Sequence, residues 1–210
     1  MDNLETDFEE LNMGDTHAQQ TAPVPEPQVH PEDITADYVK NLTNPTDKFL
    51  CKLSENWPKF KFGGFKIRDI VSGITLVDVP DQDDESEIND DDNPETRVIK
   101  YHLGPDFLKL QTVGLTLNFG IGPKPIKNMQ MVERHYFRGK VIRSYDFEFG
   151  FVIPNSNNSW EFIYDLPALS AQEEQEIVEA PWEVTSDSFF FAEGKLIIHN
   201  RAIYNYQPLG

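Results

Sequence analysis

Glu133 and His135 are the two residues of the chain whose types and spacing are best suited to chemistry. They lie two positions apart in the segment MQMVERHYF, so on a β-strand both side chains share one face. A carboxylate beside an imidazole can act as a general acid–base pair. However, no nucleophile accompanies them, and the five histidines of the chain lack the spacing of metal ligands. We therefore expect no enzymatic activity, no metal and no other cofactor.

The face that carries Glu133 and His135 is otherwise apolar, with Met129, Met131 and Phe137 at the alternate positions. An ionisable group in an apolar wall is costly unless it has a partner. The next strand predicts an aromatic wall, because its alternate positions are Tyr145, Phe147, Phe149, Phe151 and Ile153. Two interpretations fit this pattern: a filled core with a satisfied polar pair, or the lining of a pocket for an amphipathic ligand.

The elements that must position these residues are almost all strands. We predict one helix, which begins at the capping box Ser170–Glu173 and ends before Pro181. Many short strands with a single helix indicate an all-β sandwich or barrel. The remaining predicted strands are Phe60–Ile70, Ile74–Val79, Val98–Leu103, 112–121, Trp160–Leu166 and a closing hairpin over 187–206.

The formal net charge of −18 is concentrated in two segments. Residues 1–33 and 81–95 together hold half of the 36 acidic residues and contain no Lys or Arg, so the rest of the chain is nearly neutral. No basic face is left to match phosphates or anionic lipids, which argues against nucleic acid as a partner and against direct insertion into or docking on membranes. We expect both acidic segments to be solvated and disordered.

Cys51 is the one cysteine, so the chain has no internal disulfide. Its start lacks an apolar run, and we expect a cytoplasmic protein without a signal peptide or membrane span. We divide the chain into a disordered acidic N-terminal tail over 1–47 and a folded domain over 48–210. A short helix or an extended arm is also compatible with residues 34–58.

Four segments carry a resemblance to a known family: FKIRD with a following SG in Phe65–Gly73, MVERHYFR in Met131–Arg138, SYDFEFGFVIPNS in Ser144–Ser156 and SDSFFF in Ser186–Phe191. Over roughly 48–206 the chain resembles the uncoordinated-119 family, the myristoyl-binding relatives of the phosphodiesterase delta subunit. The resemblance implies an immunoglobulin-like β-sandwich enclosing a hydrophobic acyl cavity. It also implies N-myristoylated proteins as cargo, which GTP-bound Arf-like small GTPases release, notably toward the cilium, basal body or centrosome.

The resemblance also implies which residues bind the acylated peptide. Glu133 and His135 stand near the mouth of the acyl site in this family. Leu166 and Phe190 depart from the Phe and Tyr of relatives, which leaves the preferred chain length open. A prenyl-binding carrier and an adaptor that binds no lipid remain the alternatives. The expected lining, including Phe147 from the aromatic wall, is Phe65, Tyr101, Phe107, Glu133, His135, Tyr145, Phe147, Tyr164, Leu166, Ser188 and Phe190.

Overall fold

The computed structural model describes residues 33–81 and 97–209. Its two α-helices are α1 (Ala36–Lys40) and α2 (Ala171–Glu179). Its strands are β1 (Lys61–Asp69), β2 (Thr75–Val79), β3 (Val98–His102), β4 (Thr112–Gly120), β5 (Ile126–Phe137), β6 (Lys140–Val152), β7 (Asn157–Asp165), β8 (Val184–Ala192) and β9 (Lys195–Asn205).

The strands form two sheets packed as a sandwich. One sheet has the order β2-β1-β4-β7, and the other has the order β3-β9-β8-β5-β6. The pairing of β3 with β9 is parallel, whereas the other pairings described are antiparallel. The all-β sandwich expected from the sequence is therefore confirmed.

The expected helix is also confirmed. The Ser170 hydroxyl accepts a hydrogen bond from the Glu173 amide at 3.2 Å, and the Glu173 carboxylate accepts from the Ser170 amide at 2.8 Å. This reciprocal pair satisfies two amides at the N-terminus of α2 that have no partner within the helix. In the part of the chain that the structure describes, no helix is long and apolar enough to cross a membrane.

One half of the sandwich is filled by large side chains. The alternation predicted for β4 and β7 is observed, because Leu117, Phe119 and Phe162 are buried between the sheets. The rings of Phe60 and Phe119 stack at 4.8 Å, and those of Trp160 and Phe162 lie 4.4 Å apart. This close packing leaves the other half of the sandwich as the place where a ligand could enter.

The aromatic wall predicted for β6 ends at Gly150, which corrects the expectation for Phe151 and Ile153. Gly150 has a φ of +87°, and the register of β5 with β6 shifts beside it. A residue with positive φ breaks the two-residue alternation, so the strand changes face there. Val152 is consequently fully buried, whereas Phe151 and Ile153 are 59% and 60% exposed.

Residues 33–52 form an arm over the outer face of the five-stranded sheet, so the packed domain begins near residue 33 rather than at 48. Ile34 and Val39 of the arm are buried against Val132 and Phe189. The apolar residues of the arm cover a second hydrophobic face of the sheet, and their burial overrides the polar composition of the segment. Residues 1–32 of the expected tail lie outside the described residues, as do residues 82–95 of the acidic segment.

A group of buried polar side chains fastens this arm to strands β8 and β9. Asp187 and His199 are both fully buried beneath it. Arg201 donates a hydrogen bond to Asp187 at 2.7 Å and another to the Thr46 carbonyl at 2.6 Å. The Leu50 amide donates to Nδ1 of His199 at 3.0 Å. These bonds join the arm to the strands whose opposite face borders the cavity described below.

Candidate ligand-binding cavity between the sheets

A cavity of about 290 Å³ lies between the two sheets, in the half that large side chains do not fill. Its walls come from both sheets and are mainly apolar. Phe62 of β1 and Ile99 of β3 border it and are 44% and 41% exposed, which places the mouth between these two strands. A mainly apolar cleft with a few polar groups is the usual form of a small-ligand site.

The sequence leaves this space because β8 and β9 change from large to small inward residues. We call Phe147, Met131, Phe190 and Ile198 the apolar row, since pairing aligns them across β6, β5, β8 and β9. The next row across the same strands, which we call the polar row, is Tyr145, Glu133, Ser188 and Asn200. The row after it includes Ser186 and Ala202. Ser, Asn and Ala are too small to reach the opposite sheet, so the cavity opens at these rows.

Ten of the eleven side chains expected from the sequence border the cavity. Phe147 does not: its ring packs on Phe162 at 5.0 Å and on Tyr164 at 5.2 Å, within the filled half. Phe147 belongs to the apolar row, where large side chains on both sheets meet. The ten that border the cavity are Phe65, Tyr101, Phe107, Glu133, His135, Tyr145, Tyr164, Leu166, Ser188 and Phe190.

Glu133 is the buried acid of the cavity and has polar partners on both oxygens. The Tyr164 hydroxyl donates to Oε2 at 2.7 Å, across from the opposite sheet. Nε2 of His135 lies 2.9 Å from Oε1, which is ion-pair distance, although the imidazole N–H is not aligned as a hydrogen bond. The carboxylate is therefore held in one position between the two sheets.

These contacts decide the charge of Glu133. Burial by itself would raise the pKa of the carboxyl group, but His135 and the hydroxyls of Tyr164 and Ser186 outweigh it and leave the pKa below its ordinary value. Burial and the negative charge of Glu133 raise the pKa of Tyr164 and Tyr204 well above the ordinary value. At neutral pH the cavity thus contains one carboxylate surrounded by neutral phenols.

Sequence reasoning missed several residues of the cavity wall. Tyr204 stacks on Tyr101 at 5.5 Å and on His135 at 5.7 Å, and its hydroxyl lies 2.9 Å from that of Ser186. Asn200, Arg143 and Tyr206 also border the cavity. The sequence does place Asn200, Ala202, Tyr204 and Tyr206 on one face of β9. Only the register of β9 against β8 shows that this face points inward.

Comparison with known proteins places the chain in a family. Residues 54–206 match the family model described as GMP-PDE, delta subunit, whose domain is an immunoglobulin-like β-sandwich. "Protein unc-119 homolog B" of Danio rerio is 43% identical over 180 residues, which cover 83% of this chain and 74% of the relative. "Protein unc-119 homolog B" of Homo sapiens is 40% identical over 182 residues, covering 83% and 72%. "Protein unc-119" of Caenorhabditis elegans is 41% identical over 180 residues, covering 85% and 80%. The chain therefore belongs to the unc-119 family, within the superfamily of the GMP-PDE delta subunit.

Proposed function

We propose that this chain is a cytoplasmic carrier that binds the N-terminal myristoyl group of lipidated proteins in the cavity between its sheets. The family is one of lipid-binding carriers rather than enzymes. The observation that carries the proposal is the apolar cavity crossed by the polar row. An acyl chain needs the apolar wall, and the amide that joins it to a protein needs hydrogen-bonding groups close to that wall.

The energetics explain why the polar groups matter. Burial of a methylene stabilises a complex by about 0.8 kcal/mol, so a myristoyl chain contributes on the order of 10 kcal/mol. A lipid bilayer offers the same chain a similar gain. A carrier must therefore add contacts to the first residues of its cargo, and we assign these contacts to Tyr101, Glu133 and Ser188. A small first residue such as Gly fits this role, because a larger side chain would collide with the cavity mouth.

Release of a tightly held cargo requires a second ligand with different affinities for the loaded and the empty carrier. We propose a GTP-bound Arf-like small GTPase for this role, with delivery toward cilia. Strand addition at an exposed sheet edge is a binding mode that a sandwich offers to such a partner. Adding the GTP-loaded protein to a preformed complex should raise the rate of cargo dissociation, whereas the GDP-loaded protein should not. Equal rates with both forms would refute the release mechanism.

Fluorescence polarisation of a labelled myristoyl-Gly peptide tests the binding function directly. We expect saturable binding, with little binding of the same peptide without its acyl chain and weaker binding of a farnesylated peptide. Ser188→Phe should abolish binding because the ring fills the cavity. Ser159→Phe is the matched control, since Ser159 is exposed on β7. Absence of binding to either lipid would favour an adaptor that binds no lipid, and preference for farnesyl would favour a prenyl carrier.

A further inference from the structure

The polar row divides into residues that are already engaged and residues that are open. Both oxygens of Glu133 have partners within the protein, as described above. The Tyr145 hydroxyl donates to the Asp165 carbonyl at 3.2 Å. The side chains of Ser188 and Asn200 have no hydrogen-bond partner among residues 33–81 and 97–209, although both border the cavity. Each oxygen of Glu133 can accept a further hydrogen bond, but within the row only this cross-strand pair has all of its side-chain hydrogen-bonding capacity unused.

Asn200 has the larger unused capacity and the position nearer the mouth. A carboxamide offers two N–H donors and a carbonyl acceptor, whereas a hydroxyl offers one donor. Asn200 is on β9, two residues before Ala202, and Ala202 pairs with Ile99 at the exposed lip of the cavity. A ligand whose apolar part lies in the cavity and whose polar part leaves through the mouth would pass Asn200.

No side-chain hydrogen bond within the described residues explains the presence of Asn200 on the inward face. Asn is unfavourable in strands, because its side chain competes with the backbone for hydrogen bonds and packs poorly. Its neighbours on β9 with the same orientation are Ile198 and Ala202, which are both buried apolar residues. A polar group that faces an apolar cavity costs free energy until a ligand supplies its partner.

We propose that Asn200 is a specificity-determining residue, which hydrogen-bonds a backbone peptide group of the acylated ligand next to the acyl chain. This inference rests on the proposed function and extends it from the lipid to the peptide. A carboxamide pairs with a peptide group by accepting from its N–H and donating to its carbonyl. The thioether of a prenylated cysteine and the carboxylate of a free fatty acid both lack an N–H group that could donate to the carboxamide oxygen. Asn200 therefore selects an acyl chain in amide linkage.

The test combines one substitution with one atom change in the ligand, using the full chain. Affinities are measured for a myristoyl-Gly peptide and for two depsipeptides, in which an ester replaces either the acyl–Gly amide or the next peptide bond. An ester lacks the N–H, and its carbonyl is the weaker acceptor. We expect the wild-type protein to bind one depsipeptide about threefold to tenfold more weakly than the peptide, the range of one hydrogen bond. Asn200→Leu should weaken peptide binding by a similar factor and remove that preference.

Two controls keep the outcomes separate. Asn157→Leu makes the same substitution at an exposed position of β7 and should leave the preference unchanged. Asn200→Ala replaces Asn200→Leu in the affinity comparison if the leucine variant melts at a lower temperature than the wild type. A variant that still discriminates peptide from depsipeptide as the wild type does, or a wild-type protein that never discriminates, overturns the role of Asn200 alone. A wild-type protein that binds none of the acylated ligands overturns the proposed function as well.

Discussion

Asp187→Ala should release the N-terminal arm and destabilise the protein strongly. Asp187 is fully buried and accepts a hydrogen bond from Arg201 at 2.7 Å and from the Thr46 amide at 3.3 Å. Its carboxylate also lies 3.3 Å from Nε2 of His199. Alanine would leave the arginine and the histidine facing an apolar hole, and it would cut one of the links between Thr46 and the sheet.

The magnitude follows from the burial of the pair. Removal of one partner from a buried ion pair usually costs about 3–5 kcal/mol, because the other charge is left uncompensated. The Arg201 side chain is 23% exposed, so water can solvate part of its charge and the lower end of that range applies. We therefore expect a loss of about 3 kcal/mol in the free energy of unfolding.

Urea unfolding and thiol labelling measure the two parts of this prediction. The urea midpoint should fall, and the slope should become smaller, because a released arm leaves less surface to be exposed on unfolding. Cys51, the one cysteine of the chain, is buried at the end of the arm, and burial raises the pKa of its thiol to about 11. It should react slowly with a thiol reagent in the wild type and much faster in Asp187→Ala.

Asp146→Ala is the matched control for the same arm. Asp146 pairs with Lys40 of α1 at the surface, and the two side chains are 46% and 33% exposed. Such exposed pairs contribute about 0–1 kcal/mol. If the two alanine variants had equal stability and equal labelling rates, the buried network would not be what holds the arm.

Four further predictions concern single features. Burial lowers the pKa of His199 despite the opposing effect of Asp187, so on acidification His199 is protonated in the unfolded chain before it is protonated in the folded chain. The free energy of unfolding should therefore fall as the pH drops below about 6.5, by up to about 1.4 kcal/mol per unit of difference between the two pKa values. In urea titrations, His199→Asn should remove that part of the pH dependence. Tyr164→Phe should cost about 1–3 kcal/mol at pH 7 because Glu133 loses a hydrogen-bond donor, and a double-mutant cycle with Glu133→Gln should show the two changes to be non-additive. Gly64→Ala should lower the melting temperature by forcing β1 away from β2, since the new Cβ would clash with the Val79 carbonyl oxygen; an unchanged melting temperature would contradict that crowding. Deletion of residues 1–32 should leave the affinity for a myristoyl-Gly peptide unchanged, because the arm that packs on the sheet begins beyond them.

The sequence predicted the sandwich well because its strands are long and regularly alternating. The burial of β4 and β7, and the capping box of α2, follow from local rules that tertiary contacts did not override. Glu133 and His135 could be placed inward for the same reason, and the structure puts both on the cavity wall.

The misplaced residues are those whose environment depends either on an irregular backbone conformation beside them or on distant parts of the chain. Phe151 and Ile153 were assigned to the wrong face because one glycine with positive φ reverses the alternation of β6. The arm was assigned to a tail because its apolar residues are sparse and become buried only against a sheet formed much later in the chain. Asn200 was missed because its place on the cavity wall follows from its pairing with Ser188, which no local sequence pattern shows.

The cavity mouth opens along a seam between two separate sheets. Phe65 of β1 and Tyr101 of β3 meet there edge to face, with ring centroids 6.0 Å apart, and within the described residues no backbone ladder joins these two strands. The seam can therefore widen by side-chain rotation while both sheets keep their hydrogen bonds. The free-energy barrier to ligand exchange is therefore set by the repacking of side chains. A partner that binds either sheet near the seam can change that barrier without unfolding a strand.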